Sequence, residues 1–411
     1  MNNGSNLVMP ELGSSEHRHP AVADYSALIA ILFSGDMAQK TFLDAACELG
    51  AFCFEAERRG MQQVKGVDRE KRSIEACWSI ASEHASRVKF EVIDWELDRI
   101  KERFDFVVFL DRLCQLRNPL SALEALAACT REILVIELTC YRARSYLEGF
   151  LLSAAYQVAK HIPMIFLGGL GRTNRNKASF FVTECAFETI LTRHRYQFAR
   201  VEFVAGDRPG NVIAIAHKRT IGHLVIVAGV PASGKTTLID KLLAGDLPDL
   251  AKGLRFDNAD KWTITGFGDV HRLGEPNIPN LILHYNITTP MIECDLYGYE
   301  SGLLDLVNAA RHTSVVTLWC SPDVLSQRYR DNRVRRTFFG SKRAKRKQKN
   351  ARLLSLYNDA YKLPDIFRQW LNFIQRHSSE LVIFDSGGND RILDIDEWES
   401  QRDQVDLTSL L

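Results

Sequence analysis

The chain reads as an α/β protein of two successive domains, each built on a mostly parallel sheet. Two stretches carry that expectation. Lys40-Thr-Phe-Leu-Asp44 is a short buried strand; it leads through small residues into a helix closed by Gly60, and Val64–Asp68 follows at once as a second strand. Further along, the apolar run Leu224-Val-Ile-Val-Ala ends in Gly229-Val-Pro-Ala-Ser-Gly-Lys-Thr236, and the amphipathic stretch Thr237-Leu-Ile-Asp-Lys-Leu-Leu comes next. Length is the third observation. A chain of 411 residues has room for two to three domains, and about 220 of them precede the second motif.

Composition narrows the function classes. The chain is 46% hydrophobic and 25% charged, the proportions of an ordinary globular protein with sizeable cores. A formal net charge of +1 excludes a polyelectrolyte binder as the identity of the whole chain. Nine cysteines stand at 47, 53, 77, 114, 129, 140, 185, 294 and 320, with no C-x-x-C among them. That pattern predicts reduced thiols in a cytoplasmic protein, and neither a disulfide framework nor a zinc site. Residues 1–20 have no apolar core of a signal peptide and read as a disordered tail. Leu147–Leu170 is interrupted by Lys160, His161 and Pro163, which excludes an uninterrupted membrane span of about 20 residues.

In the first domain, taken as residues 21–218, a helix is expected from Asp24 to Phe33, before the β-α-β unit. Asp68 lies 24 positions after Asp44, at the tip of the second strand. A carboxylate there can accept hydrogen bonds from both hydroxyls of a ribose. Dinucleotides and S-adenosylmethionine (SAM) are both held by such a geometry, and the turn lacks the G-x-G-x-x-G that a dinucleotide needs. Asp44, Cys47, Gly50, Phe52 and the helix to Gly60 resemble the first motif of class I SAM-dependent methyltransferases, with Ala46 where a glycine is usual.

The resemblance continues in order along residues 24–218. Val88–Asp94 with Trp95 is similar to the third strand, whose end flanks the adenine in that family. Phe104–Asp111 is similar to the fourth strand, and Leu113-Cys-Gln-Leu-Arg-Asn-Pro-Leu120 to the loop behind it, with Gln115 where relatives often carry His. It implies a Rossmann-like fold, a SAM site of Asp44, Cys47, Gly50, Asp68, Asp94 and Trp95, and Asp111 as a nearby base. Between Tyr141 and Ala178 a long apolar helix is expected, then a Gly-rich segment bearing Arg172, Arg175 and Lys177. Those cations hold an anionic acceptor or are a solvated loop.

The second domain is placed at 221–411, after a short polar boundary at His217–Gly222. In G-x-x-x-x-G-K-[ST] the glycines let backbone N–H groups turn inward around phosphate oxygens, and the helix N-terminus adds its positive end. Gly229, Ser233, Gly234, Lys235, Thr236 and Thr237 are therefore the candidate ATP contacts, with the Thr236 hydroxyl on Mg²⁺. Gly253-Leu-Arg-Phe-Asp257 reads as a second strand ending in an acid that orients an acceptor hydroxyl or holds Mg²⁺, with Asp260 in reserve; the alternative is a helix cap before Trp262. Asn280–Thr288 reads as the next core strand, with Asn286 where an acidic end is usual.

Pro322–Arg330 resembles the strand-to-helix passage of gluconate- and shikimate-type P-loop kinases as they enter their lid. That implies a P-loop NTPase fold and lid arginines, here Arg328, Arg333 and Arg336, that neutralise charge on a phosphoryl group in transit. Residues 328–352 hold twelve Lys or Arg against one acid, Asp331. Such a cluster also attracts nucleic-acid phosphates, but only Tyr329, Phe338 and Phe339 supply the aromatic interleaving that base stacking needs. The expectation is a bifunctional methyltransferase and kinase using SAM, ATP and Mg²⁺ on a small-molecule or glycan acceptor. The alternatives are a nucleic-acid end-modifying enzyme, or an ATP-binding protein with an inactive first domain.

Overall fold

The computed structural model describes residues 26–95, 97–110, 113, 116–139, 161–163, 165–169, 178–194, 197–206, 211–288, 301–334, 353, 355–356, 362–387 and 390–398. The expected tail, the helix after Tyr141, the cations at 172, 175 and 177, Asp111, Gln115, Arg336 and the 342–349 cluster all lie outside those residues.

The first unit begins with α1 (Ser26–Leu32), then β1 (Thr41–Asp44), α2 (Ala51–Arg58), β2 (Gln63–Asp68), α3 (Lys71–Glu83) and β3 (Lys89–Val92). β4 (Phe104–Phe109), α4 (Pro119–Cys129) and β5 (Thr130–Thr139) complete the parallel part, in which each strand is reached by a helical or loop crossover. α4 starts as its sequence dictates, with the Asn118 side chain accepting from Ser121 N and Pro119 at the first helical position. A two-stranded ribbon of β6 (Ile165–Gly169) and β7 (Ala178–Val182) follows. Gly168 and Gly169 therefore belong to a strand; their neighbours Ile165, Phe166 and Leu167 pair with Phe180–Val182, and the glycine signal hid that pairing.

Next come α5 (Glu184–Thr189), a π-helical turn at Ile190–His194, β8 (Phe198–Ala205) and β9 (Asn211–Lys218). The seven-stranded sheet has the order β3-β2-β1-β4-β5-β9-β8, and only β9 runs against the others. Its core strands are apolar on both faces: Leu43 and Val107 pack one side, Phe42 and Val108 the other. That is what a parallel sheet covered by helices on each face requires.

β10 (Thr220–Gly229) opens the second unit and is followed by α6 (Lys235–Ala244), α7 (Pro248–Gly253), β11 (Thr263–Gly266), a 3₁₀ segment at Phe267–Arg272 and β12 (Asn277–Asn286). α8 (Ser301–Ala309), β13 (Ala310–Trp319), α9 (Pro322–Val334), α10 (Lys362–Ile374), β14 (Glu380–Asp385) and β15 (Arg391–Leu393) complete it. The order is β11-β12-β10-β13-β14-β15, and only the β14–β15 pairing is antiparallel. β10 thus lies centrally, with β12 and β13 parallel on either side. Its run Leu224–Ala228 alternates between a core under α8 and α10 and a core under α6. No described helix is long and apolar enough to cross a membrane.

The second strand departs from expectation. Pro248–Gly253 is helical, Leu254–Lys261 is irregular, and the strand is Thr263–Gly266. The cause lies in Pro248, which suits the first turn of a helix, and in Phe256, which is buried against the α6 core as a single anchor rather than as part of an alternating run.

Candidate functional sites at two sheet edges

Both groups of candidate residues lie at carboxyl-terminal strand ends, where open α/β sheets bind ligands. In the first unit β1 ends at Asp44 and β2 at Asp68, both buried. Asp68 holds the loop between β1 and α2, since its Oδ2 accepts from Glu48 N at 3.1 Å and its Oδ1 from Glu70 N at 2.9 Å. Glu48 takes a left-handed φ of 47° and Gly50 one of 78° as the chain turns into α2. A Cβ on Gly50 would stand 3.0 Å from the Phe90 ring and 3.1 Å from that of Phe54, so space and conformation both demand glycine there.

Asp44 Oδ1 accepts from Ala46 N at 3.3 Å. Burial drives its pKa up to about 7; the Ala46 N–H partly opposes this, and the nearby Asp68 charge adds to it. Cys47 sits in the same loop. Its hydrogen bond with Cys77 and its burial push its thiol well up, while the same bond lowers that of Cys77. Cys47 is thus a packed, protonated wall and no nucleophile.

A shallow cleft opens at these strand ends, lined by Ala45, Ala46, Asp68, Arg69, Ile93, Asp94, Trp95, Phe109 and Leu116. Trp95 is buried; it donates Nε1–H to Ala45 O at 2.7 Å and packs edge-on against Phe109 at 6.4 Å. Of the predicted set, Asp68, Asp94 and Trp95 line this cleft, while Asp44, Cys47 and Gly50 lie at the end of β1 and in the turn that follows it. Its lining combines the carboxylates of Asp68 and Asp94 with the apolar and aromatic side chains of Ile93, Trp95, Phe109 and Leu116.

In the second unit β10 delivers Gly229 at its end, and α6 starts at Lys235. The turn between them passes through left-handed residues, Ala232 at φ 68° and Gly234 at φ 95°. Gly229 admits no side chain, because a Cβ there would be 2.6 Å from Ser233 Oγ. Ser233 is fully buried, and its Oγ has no hydrogen-bond partner among the described residues. Lys235 folds back over its own loop, donating to Gly229 O at 2.9 Å and to Val230 O at 2.7 Å. Burial lowers its pKa to about 7. His284 on the neighbouring strand is held down to about 4, chiefly by burial and then by the Lys235 charge. Thr236 and Thr237 are exposed on the first turn of α6.

Arg328 of α9 reaches this loop, its Nη1 3.8 Å from the position a Cβ would take on Gly234. It is aimed by Ser386, whose carbonyl accepts from Arg328 Nη2 at 2.5 Å and whose hydroxyl donates to Ser233 O at 2.7 Å. Arg333 lies in α9, with its side chain outside the described residues, as is the whole of Arg336.

Asp257 is a correction. It lies ahead of β11, at the opposite edge of the sheet from the loop. Its neighbour Asn258 stands 2.9 Å from the Cβ position of Gly245, which caps the far end of α6. Ten helical residues put about 15 Å between that end and Lys235. Asp257 is exposed and accepts from Ala259 N at 2.8 Å, the local turn that a cap-type aspartate makes. Thr236 and Asp257 cannot share a magnesium ion, and among the described residues no group of three His, Cys, Asp or Glu is arranged to hold a metal.

Residues 36–159 match a family model described as a methyltransferase domain. The match covers under a third of the chain. Among solved structures, the chain is similar to magnesium protoporphyrin IX methyltransferase from Synechocystis PCC 6803 with bound S-adenosylhomocysteine. Identity is 16% and the TM-score 0.35, over 47% of this chain and 81% of that one. A SAM-dependent methyltransferase from Mesorhizobium loti has 15% identity and a TM-score of 0.35 over 48% of this chain and 99% of that one. Likeness at this level carries no argument about chemistry. No curated protein gives a match.

Sequence reasoning missed part of each site. In the first unit Arg69, Ile93, Phe109 and Leu116 line the cleft; the first three adjoin or end strands, which was their signal, and Leu116 lies in the loop between β4 and α4. In the second unit Ser386 gave no signal, since nothing in its local sequence announces a bond 153 residues away.

Asp44 gives the first unit a testable pH dependence. Its folded pKa of about 7 lies above the ordinary 3.8, so between those values the native state binds more protons than the unfolded one. Stability from this group therefore falls as pH rises from 4 to 7. Urea midpoints for the first transition should decline across that window, and Asp44→Asn should flatten the decline.

Proposed function

We propose that the chain is a bifunctional transferase, moving a methyl group from SAM at the first site and a phosphoryl group from ATP to a hydroxyl at the second. The observation that carries this reading is the pair of complete loop-to-helix cradles at carboxyl strand ends, one floored by Asp44 and Asp68 and one closed by Lys235. At the first, Asp68 would take the ribose hydroxyls, with Ile93, Trp95 and Phe109 against the adenine and Asp94 at its rim. Ala46 and Asp44 would face the methionine end. Methyl transfer is mainly a matter of in-line positioning, and the base role given to Asp111 by family resemblance remains part of the proposal.

At the second site the backbone of Gly229–Gly234 would cradle the phosphates, with Lys235 and Arg328 stabilising charge that develops as the phosphoryl group moves. Asp257 takes no part. The contact for Mg²⁺ that the loop itself offers is the Thr236 hydroxyl. The acceptor would be a small molecule or a glycan end, and the free thiols of the described cysteines suit a cytoplasmic setting.

Nucleic acid as acceptor is favoured by one observation, the twelve cations of 328–352. Affinity for an oligonucleotide falling steeply with salt, and lost with the 342–349 lysines and arginines neutralised, would support it. The main reading is tested by titrating SAM and ATP into the full chain: failure of either to bind removes that half of it.

Lys235 supplies a second pH-linked test. Its folded pKa of about 7 is below the ordinary 10.5, so from pH 7 to 10.5 the unfolded state binds more protons, and stability of the empty domain rises with pH. Phosphate at Nζ would restore the charge. At pH 8.5 ATP binding should take up close to one proton per site, seen calorimetrically as heats that vary with buffer ionisation enthalpy, and Lys235→Met should show none.

A further inference from the structure

Resting on the two-site reading above, we infer that the two transfer sites open at opposite poles of the molecule, too far apart for one small acceptor to engage both. Each then draws its acceptor from solution, and a product of one reaction reaches the other site only by release.

Strand direction carries this. β9 is antiparallel to β5, so it starts beside Thr139 at the edge where the first site lies and ends beside Ile133 at the opposite edge. Lys218 is its last residue, Arg219 stands alone between the sheets, and Thr220 begins β10. β10 then runs away to Gly229, where the phosphate loop begins. The chain thus enters the second unit at the amino-terminal edge of one sheet and the amino-terminal edge of the other.

The contacts between the units lie there too. Lys218 Nζ donates to Ala127 O, at the end of α4 just before β5, and to the Gln197 side chain, just before β8. Gln197 Nε2 in turn donates to Asp305 of α8, which descends to the start of β13. Arg219 Nη2 donates to the carbonyls of Val270 and Leu273, on the approach to β12, and Thr220 N to Pro276 O. Arg219 is buried and Lys218 half-buried by these partners, although their sequence reads as a polar boundary; desolvation lowers Lys218 to about 8 and Arg219 to about 10. All of these residues belong to amino-terminal strand edges, while Asp44, Asp68, Gly229 and Lys235 belong to carboxyl-terminal ones. At roughly 3.3 Å per residue, β9 covers about 24 Å and β10 about 30 Å, a path on the order of 50 Å between the two sites.

Energy transfer between a ribose-labelled ATP analogue and a dye-bearing S-adenosylhomocysteine analogue, both on the full chain, measures the separation. Asp68→Asn and Lys235→Met serve as controls that each label sits in its own site. A distance above about 30 Å is the expected result, consistent with strands of these lengths. A shorter distance with both ligands bound overturns the inference and leaves the two-site reading standing. Failure of either analogue to bind overturns that reading, and the inference with it.

Discussion

Lys235→Met should abolish ATP turnover and weaken ATP binding while leaving SAM affinity within twofold of wild type. The ammonium is held in the loop by two carbonyls of that loop, at 2.9 and 2.7 Å, so among the described residues its hydrogen-bond partners all belong to the cradle itself. Removing one preorganised electrostatic partner of a transition state costs on the order of 10²–10³ in rate. Methionine keeps the buried methylenes and removes a charge that burial already disfavours, so the fold should survive, and a thermal melt checks that it does. The proposed SAM site is the internal control, since its residues stand on another sheet. Undiminished turnover in this variant would sink the kinase reading.

Asp68→Ala should lower SAM affinity about 100-fold by calorimetry. Hydrogen bonds to a charged group contribute about 1.5–3 kcal/mol, and about 2.7 kcal/mol lost from a ribose diol corresponds to that factor. The same carboxylate also fastens Glu48 N and Glu70 N, so alanine loosens the loop as well. Asp68→Asn separates the two effects. It retains an acceptor for one of the two N–H groups and loses the charge, so a stability close to wild type with affinity still down about tenfold marks the ribose contact. Unchanged affinity in the alanine variant would remove Asp68 from the cofactor contacts, and absence of SAM binding to the unaltered chain would mark the first unit as a scaffold.

Local sequence made much of this legible, for a physical reason: where a motif is contiguous, its spacing is its geometry. Asp44 to Gly50 and Gly229 to Thr236 each turn a strand into a helix within a few residues, and the structure brings each set together as the spacing requires. What eluded reading was of longer range. Asp257 looked like a strand end because Leu254 and Phe256 are apolar, yet the chain makes its strand six residues later, and the acid falls at the wrong edge. Ser386 and Arg328 meet the loop only through β14 and α9, and no pattern in either segment encodes that meeting. Lys218 and Arg219 looked like a solvated linker. Two adjacent cations resemble surface until the carbonyls that receive them are known.

That junction bears on how the chain can be taken apart. Activities in a fused protein are commonly assigned by expressing its halves, and a cut at Arg219 is the obvious one. Such a cut would strip Lys218 and Gln197 of Asp305, open to water the apolar surroundings that bury Arg219, and remove the strand that feeds β10. Each fragment would present raw strand starts as a new surface, and its failure to bind a ligand would report damage at the seam rather than the absence of a site. Single substitutions in the intact chain keep the two halves in register with each other, and are the sounder dissection.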